Sequence, residues 1–206
     1  MFILDKEKIT EFDLDKAYDF VSFWSNCYDY KIKDIDYEKE LNIGNDLTIN
    51  NVKNLLHWKS PRNTGEESSI INKIDSDLII NINKFRNGEL EENDFREIAK
   101  GVVLKGEVLQ IFLFHISRSK EYPIFDRYVA FACYMHKKCP NKEANWKNYE
   151  YYKNYFNEIY EKVKTNWGGI EEEKLKKKID DALWIFGQFL MGYYNCFEKR
   201  ETENEK

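Results

Sequence analysis

Apolar residues recur along this chain at intervals of three and four, and alternation at a period of two is almost absent, so the pattern predicts helices throughout. Phe12, Ala17, Phe20, Val21, Phe23 and Trp24 place an amphipathic helix over Leu14 to Tyr28, and Asn42 to Asp46 with Gly44 reads as a turn. Thr48 suits the cap of a helix carrying Val52, Leu55 and Leu56, which ends at Ser60 because Pro61 disfavours helical angles before it. Ile70, Ile71, Ile74, Leu78, Ile82 and Phe85 predict a helix from Glu66 to Phe85, closed by Asn87-Gly88, with a strand at Leu78 to Ile82 as the competing assignment. A short helix starts at Asn93 or Asp94, and another runs from about Glu107 to Ile116. The polar loop Ser117 to Lys120 then leads through Tyr122-Pro123-Ile124 into a helix entered at Asp126. After the Cys139-Pro140-Asn141 loop come two longer helices, Trp146 to Lys164 and Glu171 to Tyr194, divided by Gly168-Gly169. The prediction is a single all-α domain over residues 1–206, with residues 1–50 a helical extension and the charged tail Glu198 to Lys206 frayed.

Composition narrows the class of function. At 206 residues, 42% hydrophobic and 16% aromatic, the chain can bury one good core. A net charge of −5 excludes a protein that coats nucleic acid through bulk charge, so any phosphate-binding surface must be a local patch. Candidate patches are Lys59 with Arg62, Arg118 with Lys120 and Arg127, and the run Lys174, Lys176, Lys177 and Lys178, which reads first as a solvated helix face. No apolar run approaches the ~20 residues that span a bilayer, and no basic and apolar leader opens the chain. The expectation is a cytoplasmic protein with reduced thiols and no membrane partner. Cys27, Cys133, Cys139 and Cys196 make no CxxC pair; Cys133, His136 and Cys139 are closely spaced but lack a fourth ligand. They are expected to be structural, with no metal and no cofactor.

The chemistry concentrates on few residues. Asp126 stands where an apolar segment turns into a new helix, and a carboxylate there is a catalyst or a cap. Trp58 can stack on a base or fill the core one turn after Leu55, while Lys59 and Arg62 can hold a phosphate or simply complement a helix end. Trp184 lies in a continuous apolar run and is expected to pack; Asp180 and Asp181 are expected to serve as local salt-bridge partners. His115, inside Phe112-Leu113-Phe114-His115-Ile116, reads as a satisfied core histidine, and His57 as the more exposed one.

The stretch Lys105 to Ala132, with hairpin, helix, loop and aspartate in that order, resembles the core of the helix-hairpin-helix DNA glycosylases, the endonuclease III and 8-oxoguanine glycosylase superfamily. Asp126 falls on the catalytic aspartate. His57-Trp58-Lys59-Ser60-Pro61-Arg62 and Asp180-Asp181-Ala182-Leu183-Trp184 are similar to elements of uncharacterised bacterial relatives of that superfamily, and the three elements span residues 57–184 in the expected order. The resemblance implies a helix-hairpin-helix DNA-glycosylase-like helical domain that binds double-stranded DNA through a local basic patch. It implies a monofunctional glycosylase in which Asp126 stabilises positive charge on the sugar, or activates water, as a flipped modified base leaves. Trp58, Lys59, Arg62, Gly106, Arg118, Lys120 and Arg127 are then the candidates for DNA contact. The family hairpin usually carries two glycines, whereas here Gly106 stands alone beside Glu107, whose charge repels phosphate. The catalytic lysine of bifunctional relatives falls on Val108 in the ungapped alignment, and on Lys105 only if Gly101 is taken as the first hairpin glycine. The family's iron–sulfur loop of four close cysteines is absent. The alternative reading is a fold relative without the chemistry, serving as a binding or scaffold module.

Overall fold

Side-chain caps decide where most of the helices begin. The computed structural model describes residues 12–29, 31–41, 44, 46–61, 70–103 and 106–204. Among these residues it contains nine α-helices and no strand: α1 Ala17–Asn26, α2 Lys31–Leu41, α3 Ile49–Lys59, α4 Ser76–Arg86, α5 Glu92–Val102, α6 Glu107–Ser117, α7 Arg127–Met135, α8 Trp146–Val163 and α9 Glu172–Asn204. Thr48 and Asn51 bond reciprocally as a capping box at the start of α3. Asp75 accepts the Leu78 N–H at 2.9 Å to open α4, and Asn145 accepts the Asn148 N–H at 2.9 Å to open α8.

The helices differ from the sequence reading in several places. The helix predicted from Glu66 begins only at Ser76, because extended Asp75 caps there and Ile71–Lys73 is a separate 3-10 turn; residues 62–69 lie outside the described residues. The competing strand at Leu78 to Ile82 is helical. Helix α2 was not foreseen, since its apolar content is thin: Tyr37 and Leu41 are buried, but Ile35 is exposed and Asp34 occupies an inward position. At the other end, α9 continues through the charged stretch to Asn204.

The chain forms two compact units, one continuous over Tyr30–Ile124 and one split between Met1–Asp29 and Phe125–Lys206. In the continuous unit α6 is enclosed, with all residues from Leu109 to Ser117 buried, polar Gln110, His115 and Ser117 among them. It packs on α3, α4 and α5. Phe85, Phe95 and Phe114 meet there with ring centroids 4.4–5.1 Å apart. In the split unit α9 lies along both α1 and α7. Gly187 makes the second contact possible: a Cβ at that position would sit 2.1 Å from the Tyr128 carbonyl oxygen. Beyond α7 the chain reverses at Lys137, whose φ is 57°, and Cys133 and Cys139 come to a Cα separation of 5.4 Å and join as a disulfide. Both had been expected as reduced thiols; the reversal that pairs them leaves no CxxC trace in the sequence.

Candidate functional site

Pro123, Ile124 and Phe125 are buried on the approach to α7, and Asp126 enters the helix in an extended conformation with φ −159° and ψ −173°. In that conformation its Oδ1 accepts the Tyr128 N–H at 2.8 Å and the Val129 N–H at 3.3 Å. Its Oδ2 accepts the indole N–H of Trp184 at 3.1 Å. Asp126 is therefore a cap and something more, because a cap needs only one oxygen. A carboxylate offers about four lone-pair sites, enough to take all three N–H donors. The helix N-terminus adds its own preference for negative charge.

Aromatic rings surround this carboxylate. Tyr28 and Tyr128 pack edge-on to Trp184 at 5.8 Å and 5.6 Å. The Arg127 guanidinium lies 4.6 Å over the Tyr128 ring and donates to its hydroxyl at 2.6 Å. Lys177 sits 4.6 Å over Tyr28 and pairs with Asp181 one turn on. Asp180 is buried, and α9 presents it one turn before Trp184. Packing was expected of Trp184, but not the bond to Asp126. Nothing in the local sequence signals it, since the two residues are 58 positions apart.

The other candidates divide between the two units. Asp126 and Arg127 belong to the split unit, while Trp58, Lys59, Gly106, Arg118 and Lys120 belong to the continuous unit. Trp58 is half-buried against Tyr37 at 4.5 Å and Phe112 at 6.0 Å, and Lys59 lies 5.9 Å over Phe112. Gly106 adopts φ 104°, a left-handed conformation natural to glycine, and leads directly into α6. Arg118 is built into the fold: its Nε donates to the Phe85 carbonyl at 2.8 Å, and its guanidinium covers the Phe85 ring at 4.4 Å. Lys120 is exposed. Arg62 and Lys105 lie outside the described residues. The lysine run of α9 is matched by carboxylates or rings, with Lys174 on Glu171, Lys176 on Glu172, Lys177 on Asp181 and Lys178 over Trp167. Lys174 is exposed, whereas Lys176 and Lys177 are largely covered.

The two buried histidines are engaged within the protein. His115 Nδ1 donates to the Tyr122 carbonyl at 2.6 Å, which makes Nε2 the acceptor for the Tyr37 hydroxyl. His136 meets the Tyr155 hydroxyl through Nδ1, and burial, reinforced by nearby Lys138, holds its pKa down to about 3. Comparison with known protein families, curated proteins and solved structures gives no match.

Proposed function

We propose that this protein is a DNA-glycosylase-like enzyme of the helix-hairpin-helix type, with Asp126 as the carboxylate that faces the sugar of a flipped, modified nucleotide. The observation that supports it is the anchoring of Asp126 by three N–H donors, two from α7 and one from Trp184. A carboxylate held this way is a fixed negative charge of settled orientation, which is what an oxocarbenium-like transition state needs beside it. Base flipping carries the nucleotide out of the duplex to such a group. Exposed Arg127 at the start of α7, and exposed Lys120 in the continuous unit, are the groups suited to phosphate.

The test is base excision from a panel of modified duplexes by wild type and Asp126→Asn. The amide keeps much of the cap and the shape but removes the charge. Excision by wild type and its loss in the variant, both folded, is the expected result; a wild type that excises nothing overturns the reading. Binding to duplex should weaken steeply with salt.

A second reading, a non-catalytic fold relative, draws on a specific observation. Arg118 spends its guanidinium on Phe85 and Glu121 within the fold, so the expected patch has lost a member. That reading predicts DNA binding that is weak or absent, together with unchanged stability trends at Asp126.

A further inference from the structure

The reversal after α7 carries the only non-glycine residue with positive φ among the described residues, Lys137 at 57°. A side chain at that angle crowds its own backbone, so the conformation persists only where the surroundings impose it. Here the Cys133–Cys139 disulfide closes the chain across the reversal at a sequence separation of 6, and the Lys138 N–H donates to the Cys133 carbonyl at 2.9 Å. Within the reversal the other ties are few. Lys138 pairs with Glu158 of α8 at 2.7 Å, but both side chains are partly exposed, and such a pair contributes little. Firmer anchors stand on either side. His136 meets the Tyr155 hydroxyl before the reversal, and after it Asn148 Nδ2 donates to the Asn141 and Glu143 carbonyls at 3.0 Å and 2.7 Å.

A cross-link removes more entropy from the unfolded chain the longer the loop it closes, so a bond spanning so few residues acts chiefly on local conformation. The body of the unit is held by other means. Phe131 and Ala132 of α7 pack with Phe186 and Leu190 of α9, and Gly187 admits the Tyr128 carbonyl. Cys133 is fully buried, and a thiol there behaves as a small apolar side chain, so reduction leaves the end of α7 in place. We propose that Cys133–Cys139 is a site of reversible thiol–disulfide exchange, a redox latch whose reduction by a dithiol releases residues 137–140 while α7 and the turn held by Asn148 stay docked. The exchange balances: the dithiol closes into its own disulfide, and the two electrons and two protons it gives up appear as the Cys133 and Cys139 thiols. A disulfide oxidant runs it in reverse. The latch is independent of the glycosylase reading.

The experiment equilibrates the full wild-type chain with oxidised glutathione or with dithiothreitol, maps the thiols by alkylation and mass spectrometry, and follows brief digestion with trypsin. The lysines supply the readout, since Lys137 and Lys138 lie in the reversal and exposed Lys142 lies between the two carbonyls that Asn148 holds. We expect the bond in oxidised glutathione and two thiols in dithiothreitol. Reduction should speed cutting after Lys137 and Lys138 by about tenfold or more, with little change after Lys142, and reoxidation should restore protection. A pair that stays reduced in oxidised glutathione, or stays bonded in dithiothreitol, overturns the proposal. So does reduction that leaves the cutting unchanged, and so does cutting that quickens at every lysine alike, which would make the bond a brace for the whole unit. Cys27→Ser should respond like wild type, whereas Cys133→Ser with Cys139→Ser should show the reduced pattern in either reagent. Should that double variant fail to fold, the two redox states of the wild-type chain decide. Excision enters none of these readouts, so failure of the glycosylase reading and failure of this one are separate outcomes.

Discussion

In the continuous unit Asn83 answers Leu47 with both ends of its amide, at 2.8 Å and 2.9 Å, Gln110 donates to the Val103 carbonyl at 2.7 Å, and His115 is held at both ring nitrogens. In the split unit His136 is enclosed by Phe12, Phe20, Phe186 and Tyr155, and Tyr152 keeps a hydroxyl that no described protein group meets. Asp126 gathers three donors from two helices. The first set closes each polar group on a neighbour and fixes the packing; the second leaves protonation and ligation with room to matter. Departures from full internal satisfaction are where function is usually sought, and the Tyr152 hydroxyl is one of them.

The largest test of this contrast is Gly187→Ala. The added Cβ meets backbone, not a side chain that can swing away, so α9 must lift from α7 and Trp184 must leave Asp126. We expect a loss of about 3 kcal/mol and a Tm lower by roughly 6–12 °C, measured by thermal unfolding. A variant as stable as wild type would show that the α7–α9 contact does not set the split unit apart.

Acid should divide the units next. The folded state holds His136 neutral down to about pH 3, while the unfolded chain protonates it near 6.5, so the unfolded state binds more protons between those values. Stability from this source is complete above pH 6.5 and falls as pH drops below it. Between pH 6.5 and 5 the loss approaches ~2 kcal/mol, at 1.36 kcal/mol per pH unit. Chemical denaturation across that range should show this slope, and His136→Gln, which keeps an acceptor for Tyr155 without titrating, should flatten it.

Asp75 and Asp126 sharpen the comparison further, since each caps a helix but only Asp126 also takes an indole proton. Asp75→Ala should cost about 1 kcal/mol and Asp126→Ala about 2 kcal/mol, the difference being the unpaired Trp184 N–H. Equal losses would reduce Asp126 to a cap alone. The smallest effect, about 1 kcal/mol, belongs to Trp184→Phe, which deletes the donor and keeps most of the ring packing.

Where a helix start rests on a local side chain, the sequence was readable: Thr48 before α3, Asp126 before α7 and the long aromatic period of α8 were all anticipated. Local signals failed where long-range packing decides. Helix α2 buries only part of one face and carries no strong period, and the break at Asp75 hides inside an unbroken isoleucine rhythm. The disulfide depends on a left-handed Lys137 that no propensity favours. At the site, Asp126 was visible as cap or catalyst, and the structure shows the cap. Its link to Trp184 joins residues 58 positions apart, and Tyr152 enters the neighbourhood only through the packing of α8. The basic groups were easy to name but not to assemble, because their pairing with Phe85, Tyr128 and nearby carboxylates is a tertiary outcome.

Gly187 also acts as a register mark. A helix seated along another can slide by a turn, about 5.4 Å, and an apolar face tolerates such a slip poorly only where something keys it in place. One turn either side of Gly187 stand Leu183 and Met191, and neither can admit the Tyr128 carbonyl where a Cβ would already come to 2.1 Å. Gly187 is thus the notch in which α7 seats, and that seating puts Trp184, less than a turn before it, where it meets Asp126.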